Sequence, residues 1–129
     1  MPNCQFLEPR TIDEACALLR EHGHDARLVA GGQNVSLGLR SGQLKPRVLI
    51  SLRRIEGLTG LRSDDGNLVS IGALTVHEVL ATAPLIARRA PLLRAAAASI
   101  TDLQVRLTGT LGGALASNYP ACDPGAALI

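Results

Sequence analysis

The sequence predicts an α+β fold in two lobes: a small βαβ lobe over residues 1–54 and part of a larger lobe, with antiparallel strands and helices, over residues 55–129. Three observations carry this. A helix-period segment at 12–22 lies between short apolar runs at 4–7 and 26–30. A turn-rich stretch, Ser63-Asp64-Asp65-Gly66-Asn67, separates two strand-like runs. Beyond it, helices and strands lack the steady alternation of a doubly wound sheet.

Cys4–Leu7 is read as a short strand closed by Glu8-Pro9. Thr11-Ile12-Asp13-Glu14 is a capping box, in which the Thr11 hydroxyl takes an N3 amide while Glu14 reaches back. Ile12, Ala15, Ala17, Leu18 and Leu19 follow helical spacing and Gly23 is a stop, so a helix spans 12–22. Ala26–Ala30 is the next strand and Val35–Arg40 a short helix. Pro46 leads into an apolar strand, Val48–Leu52. Leu58–Arg62 and Leu68–Gly72 form a hairpin around the turn-rich stretch. Thr75-Val76-His77-Glu78 reads as a second capping box, starting a helix that runs to about Ala81. Pro84 and Pro91 punctuate two Ala/Leu/Arg-rich helices, Leu85–Arg89 and Leu92–Ser99. Asp123-Pro124 opens a further helix, with no stop signal after it, so the chain is expected to be a piece of something longer.

The composition excludes several classes. A net charge of +2 and one Phe, one Tyr and no Trp leave little with which to grip or stack nucleic acid. The pairs Arg53–Arg54 and Arg88–Arg89 are far apart and read as solvated faces. No apolar run approaches the roughly 20 residues of a membrane span, and no secretory signal is visible, so a cytoplasmic protein is expected. Three cysteines, Cys4, Cys16 and Cys122, lack CxxC spacing and fit a reducing compartment rather than a disulfide framework or a cluster site. No metal site is expected.

Two glycine-rich stretches stand out: Ala30-Gly31-Gly32-Gln33-Asn34-Val35 and Thr108-Gly109-Thr110-Leu111-Gly112-Gly113-Ala114. Adjacent glycines let main-chain N–H groups approach a ligand, and successive N–H groups facing one way form a nest for an anion. Each stretch is entered from an apolar run, Val105 and Leu107 leading into the second. Together they suggest a diphosphate held from both sides. Neither GxGxxG nor a P-loop ending is present.

In combination with Ile71-Gly72-Ala73-Leu74-Thr75, Gln104-Val105-Arg106, Pro120 and Asp123, these stretches resemble the FAD-binding medium subunit of the molybdenum hydroxylases, the carbon monoxide and xanthine dehydrogenase family. The resemblance covers essentially the whole chain. It implies the two-lobed flavoprotein fold shared with vanillyl-alcohol oxidase, with FAD as cofactor. Ala30, Gly31, Gly32, Gln33, Asn34 and Val35 are then the first diphosphate clamp, and Thr110, Leu111, Gly112, Gly113 and Ala114 the second. Asp123 would accept a hydrogen bond from the adenosine ribose. Leu111 would lie near the flavin ring, and Gly72–Thr75 would line the same cleft. Asn34 stands where the family usually has serine, and Ala114 where asparagine is common. The resemblance further implies partners, an iron–sulfur small subunit and a molybdopterin large subunit, with electrons passing through the clusters to FAD and on to an external acceptor.

No side chain is expected to act as a catalytic acid or base, because a flavin carries the redox step itself. Arg106 reads as an ion-pair partner in preference to a phosphate ligand. His22, His24 and His77 lack ligand spacing and read as structural. Two other readings stay open: a truncated assembly module of the same fold holding FAD weakly or not at all, and a stand-alone flavin oxidase.

Overall fold

Helix α1 (Ile12–His22) begins where the capping box places it. The Thr11 hydroxyl accepts the Glu14 amide at 3.1 Å, and the Glu14 carboxylate accepts the Arg10 amide at 2.8 Å. Gly23, at φ 50°, ends the helix, and its amide bonds the Leu19 carbonyl. A computed structural model describes residues 4–64, 66, 68–118 and 123–128. The chain divides after Glu56 into two compact units.

In the first unit, β1 (Gln5–Leu7), β2 (Ala26–Val29) and β3 (Val48–Ser51) form a parallel sheet in the order β1-β3-β2. Val48 faces both Gln5 and Ala26, and Ile50 faces Leu7 and Leu28. The central strand reads as a nearly continuous apolar run because it is buried on both faces; Ile50 on one face and Ser51 on the other are both buried. Helix α1 packs on β2 and β3. Between β2 and β3 lies α2 (Gln33–Arg40), which starts two residues before the expected Val35.

In the second unit, β4 (Leu61–Ser63) and β5 (Val69–Ile71) pair antiparallel, as the turn signal predicts. The Asp64 carboxylate accepts the Gly66 and Leu68 amides, at 3.1 and 3.2 Å. Among the described residues six helices follow: α3 (His77–Thr82), α4 (Pro84–Arg89), α5 (Pro91–Ala98), α6 (Leu103–Thr108), α7 (Leu111–Ser117) and α8 (Asp123–Ala126). Pro84 and Pro91 each occupy a first helical position, where no amide is needed. The core gathers Leu80, Ala81, Ile86, Leu93, Ala97 and Leu111.

Two local expectations are corrected. The second capping box does not form. Val76 is the N-cap residue of α3 and offers no side-chain bond. The Thr75 hydroxyl instead accepts the Gly60 amide at 3.0 Å and donates to the Gly60 carbonyl at 3.2 Å, while Glu78 pairs with an arginine. The run before the second glycine stretch is helical: Asp102 caps α6 by accepting the Val105 amide at 3.2 Å.

Candidate cofactor-binding segments

The first glycine stretch is a turn between β2 and α2. Gly32 has φ 81°, the left-handed region that favours glycine, and a Cβ there would meet only Val29 Cγ1 at 3.6 Å. Backbone conformation, not space, calls for glycine at this point. Gly32 is also the N-cap of α2, and it supplies no side-chain cap. The first bond inside the helix runs from the Ser36 amide to the Gly32 carbonyl, at 2.8 Å. A side-chain cap elsewhere takes the N2 or N3 amide, and glycine has none to give. Ala30, Gly31, Gly32, Gln33 and Val35 are half-buried and Asn34 is exposed.

The second stretch has a different local structure from the open turn expected. Thr110 is the N-cap of α7, and Gly112 and Gly113 lie inside that helix. The Thr110 hydroxyl accepts the Gly113 amide at 3.2 Å, and the Thr110 carbonyl accepts the Ala114 amide at 2.9 Å. The Leu111 amide donates to the Thr75 carbonyl at 3.0 Å, and the Gly112 amide to the Ala73 carbonyl at 2.8 Å. Four successive amides thus have acceptors within the protein. Gly112 is required by close approach: a Cβ would come to 2.7 Å from both the Ala73 carbonyl oxygen and its Cβ. Gly72 is similar, with the Leu58 carbonyl oxygen 2.5 Å from where its Cβ would be.

The second stretch is thereby brought together with Ala73–Thr75, two segments grouped in advance only by the resemblance. Asp123 lies elsewhere in this unit. It begins α8 and its carboxylate accepts from the Ser99 hydroxyl at 3.4 Å. It stands on a groove of about 390 Å³ whose floor is Leu92, Ala95, Ala96 and Ala126. A larger cavity, about 640 Å³, lies in the first unit around Arg10–Asp13 and Arg54–Glu56. It contains none of the expected site residues, and its acidic and basic groups balance. Tyr119, Pro120 and Cys122 lie outside the described residues.

Arg106 meets its expectation as an ion-pair partner: its Nε is 2.8 Å from Glu78 Oε2, joining α6 to α3. His77, read from the sequence as structural, is buried. Its residue is 4% exposed, Nδ1 is buried with no hydrogen-bond partner among the described residues, and burial lowers its pKa from 6.5. A signal existed in the sequence. Leu80 and Ala81 follow His77 at three and four residues, which places the imidazole on the apolar stripe of α3.

Comparison with known proteins agrees with this architecture. Residues 2–129 match the family described as FAD binding domain in molybdopterin dehydrogenase. The carbon monoxide dehydrogenase medium chain of Hydrogenophaga pseudoflava is 40% identical over 122 residues, covering 95% of this chain and 42% of that one. Subunit alpha of the 6-hydroxypseudooxynicotine dehydrogenase complex of Paenarthrobacter nicotinovorans is 36% identical, with 95% and 41% covered. Among solved structures, reconstituted CO dehydrogenase from Oligotropha carboxidovorans superposes with a TM-score of 0.88 at 35% identity, over 94% of this chain and 42% of that one. The chain spans about two fifths of the length of these relatives. The chain belongs to the family of FAD-binding domains of molybdopterin dehydrogenases, and it has their fold.

Proposed function

We propose that this chain is the FAD-holding portion of the medium subunit of a molybdenum hydroxylase, an oxidoreductase component. It takes electrons from the iron–sulfur clusters of a small subunit, fed by a molybdopterin large subunit, and delivers them to an external acceptor. The observation that carries this reading is the Gly31–Gly32 turn, where α2 starts on a residue with no capping side chain. That donor set suits a diphosphate. FAD, when bound, supplies the electron-accepting ring.

The chain's own residues bind and orient. Ala30–Val35 offers main-chain donors to the diphosphate. In Leu111–Ala114 the amides are engaged internally, so the contact falls to Thr110, through its amide or its hydroxyl, which accepts from Gly113 and keeps a hydrogen to donate. The small side chains there let a ligand approach the backbone. Asp123, on its apolar groove, accepts from the adenosine ribose. Leu111 lies on the flavin side, with Gly72–Thr75.

The internally engaged amides also favour a second reading, an assembly module of this fold with weak FAD affinity. Titrating the purified chain with FAD separates the two. Saturable quenching of flavin fluorescence, weakened by Gly32→Ala, supports the first. A chain that takes up no flavin yet co-purifies with a cluster-bearing subunit supports the second.

A further inference from the structure

The segment Ala73–His77 runs beside Gly109–Gly112 and is laced to it by main-chain bonds. Val76 and Thr110 form an antiparallel bridge, and the His77 amide donates to the Gly109 carbonyl at 3.0 Å. The Leu111 and Gly112 amides return to Thr75 and Ala73. The imidazole lies at this crossing. A Cβ on Gly109 would stand 2.9 Å from His77 Cδ2 and 3.2 Å from Nε2, so the ring lies directly against the glycine.

We propose that the neutral imidazole of His77 is a positioning residue for Gly109–Gly113, holding Thr110 and the first turn of α7 in the arrangement that receives the cofactor, and that protonation of the ring releases it. The inference rests on the flavin reading above. A bare lone pair is better tolerated in the interior than an orphaned N–H, so the buried, unpartnered Nδ1 places the ring proton on Nε2. Protonation would set an N–H on Nδ1 where no acceptor among the described residues waits. The neighbouring charges offer no rescue. Glu78, on the same helix, is paired with Arg106 of α6, and Arg94 of α5 turns its Nε to the Ala81 carbonyl at 3.2 Å. Desolvation accordingly holds the ring's pKa below 6.5.

The test compares the wild-type chain with His77→Gln, which cannot titrate, and His77→Phe, which keeps a ring of similar bulk. Two readouts are taken between roughly pH 5 and 8: FAD affinity by flavin fluorescence, and hydrogen-exchange protection of the Leu111 and Gly112 amides without FAD. Wild type should lose affinity by on the order of tenfold per pH unit once the ring charges. Protection at both amides should fall over the same interval, and both profiles should be flat in the variants. Equal pH profiles of protection in wild type and whichever variant folds would overturn the proposal. So would an FAD affinity independent of pH while protection changes. Wild type binding no FAD at any pH, with protection still dependent on His77, would overturn the flavin reading and leave the ring's hold on the segment supported.

Discussion

Gly112 illustrates how one residue type answers to unlike demands. Its Cβ would collide with Ala73 backbone, so Gly112→Ala forces α7 away from its neighbour. Overpacking of this kind costs about 1–3 kcal/mol, and a lowered Tm in thermal denaturation is the expected result. Gly32→Ala costs about 1–2 kcal/mol by a separate route, the left-handed φ. It should also weaken FAD binding. His77 adds a pH dependence. Its folded pKa is depressed, so the unfolded chain binds more protons in the window just below 6.5. Its stabilising contribution is complete above that value and is lost as pH falls toward the folded pKa. Urea denaturation should show this loss in wild type and a smaller one in His77→Gln.

At the scale of elements, the two Thr-x-x-Glu motifs separate what local sequence specifies from what it does not. Thr11 caps α1 with no long-range help, so Thr11→Ala is expected to cost about 0.5–2 kcal/mol, read as a Tm shift. Thr75 has the same pattern but spends its hydroxyl on Gly60, fifteen residues away, because the β4–β5 hairpin carries that backbone alongside. Thr75→Val leaves the Gly60 amide and carbonyl without this partner and should cost about 1–3 kcal/mol, measured by the same denaturation. Helix α6 shows the converse. Its apolar residues pointed to a lead-in, whereas the Asp102 cap was the sign of a helix.

For the chain as a whole, ligand linkage gives the broadest prediction. A cofactor bound only by the folded state raises stability by about 2.7 kcal/mol at a hundred times its Kd. Saturating FAD should therefore raise the Tm of the wild-type chain, and raise it less in Gly32→Ala at the same concentration. The chain's membership of an FAD-binding family lies behind this expectation.

Much of this was legible from the residues. Periodicity and the first capping box determined α1, turn chemistry determined the β4–β5 hairpin, and adjacent glycines marked the two stretches of interest. These are properties of residues near one another in the chain, where propensity and capping act directly. Tertiary structure alone decided that Gly112 serves close packing and not an open nest, that the Leu111 and Gly112 amides are engaged, and that His77 is buried without a partner for Nδ1 among the described residues. Each depends on Ala73–His77 lying beside Gly109–Gly113. A pairing between segments more than thirty residues apart leaves no periodic trace in either, so no local pattern could have announced it.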